Sequence, residues 1–224
     1  MGAYEGLSNY FEKPLCEYAI SLGYDESNIL ILKGDVNNLK NSHLNIYQNL
    51  LSCQHHSDRR TPLEYGQDLV ASWIFEDFFI NEMQNAGFDI QLSGADRTRL
   101  ILPNQSTSTI SDYLVRTNTG YEITMELVND YTGFWYRTHK LHLRDNKYIQ
   151  LQRNRSLLLA IALSANCQKF TIFDFRQDIP ATRIPSHRPY GGKPAYELSV
   201  AANSLYDFSF TGVREAILDT IRGF

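Results

Sequence analysis

The strongest hydrophobic pattern in the chain lies between residues 61 and 86. Apolar side chains recur there at helical spacing, among them Leu69, Trp73, Ile80 and Met83. Such a stripe is typical of a helix that buries one face. The segment opens with the capping box Thr61-Pro62-Leu63-Glu64 and is followed by Gly87, signals that begin and end helices. The pattern therefore predicts a long helix over residues 61–86.

Alternation of apolar and polar residues after this helix indicates strands. The predicted strands cover residues 88–92, 112–116, 121–128 and 169–175, with 99–102 as a further candidate. The turn residues Asn118-Thr119-Gly120 separate the second strand from the third. These two strands are therefore expected to form a hairpin.

Helical spacing returns in the second half of the chain. It predicts a helix over residues 146–165 that turns Tyr148, Leu151, Leu158, Ile161 and Ala165 inward, and a last helix from Thr211. Weaker patterns indicate short helices over 14–22, closed by Gly23, and over 43–53. The segment 180–194 is rich in Pro and Gly and is predicted to be a loop, while 196–210 has no clear pattern.

The order of these elements predicts an α/β (α+β) fold with a mixed central β-sheet flanked by helices. The chain has 224 residues, of which 43% are hydrophobic, enough to bury one core. We expect three parts: a helical or irregular extension over residues 1–60, a core over 61–176, and a C-terminal loop and helix over 177–224.

Charge and cysteine content narrow the class of protein. The net charge is −4, so any nucleic-acid contact must come from locally gathered basic residues. The three cysteines, Cys16, Cys53 and Cys167, form no C-x-x-C pair, which argues against a disulfide framework or a zinc ribbon. The longest apolar run, residues 157–163, is too short to cross a bilayer. A reduced cytoplasmic protein without membrane contact is expected.

Two carboxylates on the predicted hairpin suggest chemistry. Asp112 begins one strand and Glu126 lies late in the next, so strand pairing can bring them together. Mg²⁺ prefers oxygen ligands and retains several waters, and it stabilises the charge that develops in phosphodiester hydrolysis. The hairpin therefore predicts a magnesium site at Asp112 and Glu126. The alternative is a turn aspartate and an exposed strand glutamate with no common role.

At these residues the chain resembles the PD-(D/E)XK nuclease superfamily, in particular type II restriction endonucleases. The resemblance is carried by Ser111-Asp112, by the run from Met125 to Tyr131, and by the element order over roughly residues 60–176. It implies a restriction-endonuclease-like fold and Mg²⁺-dependent cleavage of DNA. It also implies a third acidic residue on the preceding helix, where Glu76 is the candidate; alternatively, Glu76 lies at the edge of the buried stripe and reaches solvent.

The sequence departs from the family pattern at one position. A Glu-x-Lys motif would place lysine at residue 128, where this chain has Val128. Three explanations are open: Lys140 or Lys147 reaches the site from elsewhere, the register uses Glu122-Ile123-Thr124 with Thr124 in the third role, or activity has been lost.

Basic residues gather after the proposed metal strand. The segment from residue 137 to residue 155 contains six basic residues and one acidic residue, Asp145. It directly follows Phe134-Trp135-Tyr136. Basic residues beside aromatics are typical of nucleic-acid contacts. The predicted DNA-binding residues are Arg137, Lys140, Arg144 and Lys147 here, with Arg188 and Lys193 in the later loop. The alternatives are a solvated helix face and an exposed connector.

The sequence thus predicts a metal-dependent, sequence-specific double-stranded DNA endonuclease. Homodimerisation is expected, because a two-fold dimer matches palindromic DNA and cuts both strands. Two alternatives remain: a non-catalytic or inactivated DNA-binding module on the same fold, and a repair or recombination nuclease. An enzyme for small molecules is less favoured, since the sequence has no phosphate-cradling glycine loop, G-x-S-x-G elbow or H-E-x-x-H helix.

Overall fold

A computed structural model of the chain describes residues 2–53, 60–93, 98–103, 111–117, 120–164, 167–201 and 204–222. The chain forms two compact units. The first, here called the helical unit, comprises residues 1–78 and 95–107. The second, the sheet unit, comprises residues 79–94 and 108–224. The long helix predicted from the sequence contributes residues to both.

Among the described residues, six α-helices belong wholly or partly to the helical unit. They are α1 (Ala3–Tyr10), α2 (Leu15–Ser21), α3 (Glu26–Lys33), α4 (Val36–Ser42), α5 (Leu44–Ser52) and α6 (Pro62–Asn85). The predicted helices at 14–22 and 43–53 are confirmed as α2 and α5. Helices α1, α3 and α4 were not predicted, because helices of about two turns carry too little periodicity to stand out.

The predicted strand at residues 99–102 is wrong. These residues lie in the helical unit and adopt no strand. The Asn28 and Asn49 side-chain amides donate hydrogen bonds to the carbonyls of Arg99 and Ile101, at 3.0 and 2.9 Å. Side chains therefore satisfy backbone groups that a strand would have paired with a neighbour.

The prediction for helix α6 is confirmed. Its capping box forms, since the Thr61 backbone N–H donates to Glu64 Oε2 at 2.7 Å and the Glu64 N–H donates to Thr61 Oγ1 at 3.2 Å. Gly87 follows the helix in the left-handed region, with φ of 76°. Within the apolar stripe, Trp73 and Met83 are fully buried.

The sheet unit contains two sheets. Its strands are β1 (Asp89–Leu92), β2 (Tyr113–Arg116), β3 (Glu122–Asp130), β4 (Lys140–Arg144), β5 (Leu157–Ser164), β6 (Cys167–Asp174), β7 (Ala181–His187), β8 (Lys193–Ser199) and β9 (Tyr206–Asp207). Its further helices are α7 (Phe134–Thr138), α8 (Asp145–Asn154) and α9 (Phe210–Arg222). The central sheet has the order β1-β2-β3-β5-β6-β9. Its β3–β5 pair is parallel and the other pairs are antiparallel. The predicted mixed central sheet flanked by helices is confirmed, as is the β2–β3 hairpin, although turn residues 118–119 lie outside the described part of the chain.

The prediction of one helix over residues 146–165 is wrong. Helix α8 ends at Asn154, Arg155 adopts the left-handed region with φ of 52°, and residues 157–164 form the central strand β5. Every residue of β5 except Ser164 is buried. A strand covered on both faces is apolar at every position, so it lacks the two-residue period that would separate it from a buried helix.

The predicted loop at 180–194 is also wrong. It contains β7, a 3-10 turn at Arg188–Tyr190 and the start of β8. Gly191 and Gly192 follow the turn with φ of 66° and 80°, which explains the glycine pair. Strands β4, β8 and β7 form a second, three-stranded sheet, here called the small sheet. The unclear segment 196–210 supplies the rest of β8 and strand β9.

Both faces of the central sheet are covered. On one face Leu158, Ala160 and Ala162 pack against α7, α8 and the small sheet, through residues such as Trp135 and Leu198. On the other face Phe79 of α6 contacts Tyr113 and Phe210, with ring centroids 5.6 and 6.0 Å apart. Among the helices of the described ranges, none is both long and apolar enough to cross a membrane.

Candidate active site

The hairpin register sets Asp112 beside Glu126. Tyr113 pairs with Met125, so the residue before β2 lies opposite Glu126 on β3. The Leu127 N–H donates to Asp112 Oδ2 at 2.9 Å, and the Ser93 N–H donates to the Asp112 carbonyl at 2.9 Å. Asp112 is thus fixed through both its side chain and its backbone. The two carboxylates that the sequence singled out are brought together.

Glu126 is a buried acid whose carboxyl pKa is raised. Its residue is only 4% exposed, and its Oε2 has no hydrogen-bond partner among the described residues. Burial first, and then the negative charge of Asp112, raise the pKa of the Glu126 carboxyl to about 8. Asp112 adds a like charge beside Glu126, which disfavours ionisation of both carboxyl groups at once. Such a pair holds one proton near neutral pH unless a cation replaces it.

A lysine reaches this acidic pair from helix α8. Lys147 Nζ donates to Glu126 Oε1 and opposes the rise in the pKa of the Glu126 carboxyl. Lys140, the other candidate, instead pairs with Glu197 at 2.9 Å. Of the two lysines named from the sequence, the structure brings Lys147 to the carboxylates.

Val128 has a packing role. It lies against the apolar cluster around Trp135 and Tyr148, and pairs with the buried Ala160 of β5. The alternative register built on Glu122 and Thr124 lacks a matching acidic pair. Glu122 is exposed and pairs with Arg116, while Thr124 Oγ1 bonds Ser156 Oγ at 2.6 Å.

Glu76, the predicted third acid, has a partner in the helical unit. Its Oε2 accepts a hydrogen bond from Arg99 Nη1 at 2.7 Å, and Arg99 also pairs with Asp77. Tyr24 donates to Asp77 at 2.5 Å in the same cluster. Glu76 is therefore charge-compensated by a cationic side chain.

The acidic pair fits a divalent cation in its donor chemistry. Glu126 Oε2 is a buried oxygen that hydrogen-bonds to no described residue, and Asp112 places a second carboxylate beside it. In the described ranges, no group of three or more His, Cys, Asp or Glu side chains is placed to hold a metal ion. Two carboxylates suffice for Mg²⁺, which keeps several waters.

No family model matches this chain, and no curated protein is significantly similar to it. Its function must therefore be inferred from the side chains themselves.

The predicted DNA-binding residues separate into two groups. Lys147 contacts the acidic pair, while Lys140 and Arg144 lie four positions apart on the same face of β4, with Arg144 over the Tyr190 ring at 5.5 Å. Three further members are exposed: Arg137 on α7, Arg188 in the turn after β7, and Lys193 at the start of β8. We refer to Arg137, Lys140, Arg144, Arg188 and Lys193 as the basic group.

A histidine chain on the small sheet was not anticipated. His142 Nε2 lies 3.0 Å from Glu197 Oε2, and His142 Nδ1 lies 2.9 Å from His187 Nε2. Burial and the proximity of His142 lower the pKa of His187. The alternation in Lys140-Leu141-His142-Leu143-Arg144 was the available signal for β4. It was hidden because the run was interpreted only as a basic stretch.

We expect Val128→Lys to destabilise the protein by about 2 kcal/mol, because it puts an ammonium into an apolar contact close to Lys147. Chemical denaturation of this variant and of Val128→Ile, which keeps the apolar contact, measures the difference. The substitution should also lower, and not create, the cleavage predicted from the sequence. A gain of cleavage in Val128→Lys would place the missing lysine on β3 and contradict the role given to Lys147.

Proposed function

We propose that this protein is a metal-dependent, restriction-type endonuclease acting on double-stranded DNA, with a restriction-endonuclease-like fold. The observation that carries the proposal is the contact of Lys147 with Glu126 beside Asp112. Two adjacent carboxylates and one ammonium are the groups that phosphodiester hydrolysis needs: oxygen ligands for a cation, and a positive charge near the reacting phosphate.

Asp112 and Glu126 would hold the cation, which when bound lowers the pKa of water and stabilises charge on the phosphate. Glu126 would lose its proton to solvent on becoming a ligand, because a ligating carboxylate must be ionised. Lys147 then keeps its ammonium beside the carboxylates, where it can orient a water molecule and stabilise negative charge on a phosphate oxygen. The backbone of Leu127 and Ser93 fixes Asp112, so its carboxylate needs little reorganisation.

The basic group supports DNA as the partner. Arg137, Arg188 and Lys193 are exposed cations, and Arg144 is held against an aromatic ring. The chain is acidic overall, so such a group supplies the local positive charge that phosphates require. Cleavage of both strands would be achieved by a homodimer, in which each copy contributes one pair of carboxylates.

A non-catalytic DNA-binding module on the same fold is the second candidate. It is favoured by the absence of a third acidic ligand beside Asp112 and Glu126 in the part of the chain that the structure describes. The two candidates share the basic group and differ only in the chemistry of the acidic pair.

Incubation of the protein with long duplex DNA and Mg²⁺ tests the proposal. Discrete fragments are expected, because a restriction-type enzyme cuts at defined sequences. The Asp112→Asn variant, purified in parallel, controls for contaminating nucleases. A smear in the wild type would indicate a non-specific or repair-type nuclease. Intact DNA with a clear mobility shift would establish the binding module instead.

Binding of Mg²⁺ is expected to depend on pH because the cation must displace the Glu126 proton. With the pKa of this carboxyl at about 8, affinity should fall by roughly tenfold for each pH unit below 8. Calorimetry between pH 6 and 9 measures the affinity and the protons released. The Glu126→Gln variant is the control: it should bind Mg²⁺ much more weakly, and any residual binding should release no proton from this residue.

The same pKa predicts the stability of the metal-free protein. A carboxyl whose pKa is raised by folding stabilises the folded state at low pH and loses this contribution as pH rises towards 8. The unfolding free energy of the metal-free wild type, measured by chemical denaturation, should therefore fall between pH 4.5 and about 8 relative to that of Glu126→Gln. A rise of the wild-type value over this pH range, with no such rise in Glu126→Gln, would contradict a buried protonated Glu126.

Substitutions in the basic group should alter the salt dependence of DNA binding. If Arg144 and Arg188 contact phosphates, Arg144→Ala or Arg188→Ala should each lower the slope of log K against log salt by about one. The control is Arg222→Ala on α9, where Arg222 lies 3.7 Å from Asp219. Slopes that remain equal to those of the wild type and Arg222→Ala would place the two arginines outside the interface.

A further inference from the structure

The sheet unit contains a cavity, apart from the acidic pair, that is lined by polar and aromatic groups. Its volume is about 400 Å³, within the range of small-ligand sites. It is lined by Leu114, Tyr121, Glu122, Ile123, Thr124, Asn154, Arg155 and Arg176. It therefore lies where the start of β3 meets the end of α8.

Two arginines line this cavity, and Arg155 is the one that forms no ion pair with a carboxylate in the described ranges, whereas Arg176 pairs with Asp174. Arg155 is exposed, and its Nη2 donates to the Arg176 carbonyl at 3.2 Å. Its backbone is left-handed, with φ of 52°. Glycine is favoured in this conformation at the end of a helix, and other residues adopt it at a cost. The presence of arginine there indicates a use for its side chain.

An aromatic ring and an amide complete the cavity. Tyr121 is 45% exposed, and its hydroxyl oxygen accepts a hydrogen bond from the Arg176 guanidinium. Arg176 is in turn fixed by Asp174 at 2.8 and 2.9 Å, so the Tyr121 ring has a defined support. Asn154 adds an exposed amide. A guanidinium, an aromatic face and an amide suit an anionic group linked to a planar base with hydrogen-bonding edges.

The cavity follows the same strand and helix as the acidic pair. Thr124 precedes Glu126 by two positions on β3, and both belong to one face of the strand. Lys147 is near the start of α8 and Asn154 at its end, a separation of roughly 10 Å along the helix axis. A DNA strand that crosses the carboxylates can therefore extend towards the cavity.

The geometry points to a nucleotide subsite, in which Arg155 binds a phosphate and the Tyr121 ring stacks on the attached base. Binding of a nucleotide by these residues does not depend on cleavage. Its placement beside the scissile phosphate rests on the proposed endonuclease function. The nucleotide is either a free mononucleotide or one unstacked unit of a DNA strand, and the two sources differ in which ligand binds.

Calorimetry of the full chain in EDTA tests the subsite without metal chemistry. The probes are deoxyadenosine 5′-monophosphate, deoxyadenosine, inorganic phosphate and a single-stranded hexanucleotide. The monophosphate should bind at least about tenfold more tightly than the nucleoside or phosphate alone, because only it engages both Arg155 and Tyr121. Binding of the hexanucleotide, with no binding of the monophosphate, would assign the subsite to a nucleotide within a strand, provided the variants below weaken it.

Matched variants separate binding from folding. Arg155→Gly should weaken binding at least about tenfold while the melting temperature stays equal or rises, because glycine relieves the left-handed backbone. Tyr121→Ala should weaken binding to a similar extent, and Tyr121→Phe should retain most of it. Arg153→Ala removes a charge from the same helix but does not line the cavity, and should bind as the wild type does.

Two results would overturn the subsite. One is that substitution of Arg155 or Tyr121 weakens the binding of neither the monophosphate nor the hexanucleotide. The other is that Arg153→Ala weakens binding as much as Arg155→Gly, which would indicate general electrostatic attraction. Intact duplex DNA in the cleavage assay, together with Arg155-dependent nucleotide binding, would reject the endonuclease proposal and leave the subsite standing.

Discussion

Replacing Asp112 with Asn or Glu126 with Gln is expected to abolish DNA cleavage and to leave DNA binding largely intact. Each substitution removes one of the two carboxylates that the hairpin places together. Loss of the cation would lower the rate by about a thousandfold or more, since its charge stabilisation amounts to several kcal/mol. Cleavage rates and Mg²⁺ calorimetry on the same preparations measure the two effects.

Glu122→Gln is the matched control for these variants. Glu122 lies on β3 four positions before Glu126, but it is exposed and paired with Arg116. Its substitution should leave Mg²⁺ affinity unchanged, which is the comparison that this variant controls, since Glu122 also lines the proposed nucleotide subsite. Unaltered metal affinity in both Asp112→Asn and Glu126→Gln would show that the acidic pair is not the metal site.

Lys147→Ala is expected to reduce cleavage about a hundredfold, the effect of removing one positioned charge of about 3 kcal/mol from a reacting centre. Metal binding should persist and strengthen slightly, because the variant removes a positive charge in contact with Glu126. Lys147→Arg keeps the charge with a different geometry and should restore part of the rate. Single-turnover cleavage at saturating Mg²⁺ separates the chemical step from binding.

Lys140→Ala is the control for Lys147. Lys140 also pairs with a glutamate, at 2.9 Å, but that partner is Glu197 of the small sheet. Its loss should weaken DNA binding and spare the cleavage rate at saturating DNA. Full activity in Lys147→Ala, or equal loss in both lysine variants, would contradict a specific role for the contact between Lys147 and Glu126.

The acidic pair could be predicted because its geometry is local. Alternating residues and a turn define a hairpin, and hairpin pairing sets opposite residues side by side. Lys147 could be named only as one of two candidates. Its approach to Glu126 depends on how α8 packs against the central sheet, and no periodic pattern in the sequence encodes that packing.

The sequence-based errors in the fold arose where burial or turn-like residues concealed a strand. Strand β5 was assigned to a helix because burial on both faces removes the alternation that marks a strand. Strand β7 and the start of β8 were assigned to a loop because Pro185, Pro189 and the glycine pair are typical of turns, and the rest of β8 lay in a segment without a clear pattern. The small sheet, and with it the contact of His142 with Glu197, therefore could not be anticipated.

The parallel pairing of β3 with β5 also determines the order in which the site can assemble. The bond from Leu127 to Asp112 joins residues 15 positions apart within a hairpin, whereas Lys147 meets Glu126 only after the connection through α7, β4 and α8 has folded back on the sheet. Hairpins form in microseconds, and parallel crossovers are slower because their loops must close first. A refolding chain should therefore gain its carboxylate pair before its lysine. Stopped-flow refolding that follows cation binding and nuclease activity together would resolve the two stages, and their simultaneous appearance would show that the site forms in one step.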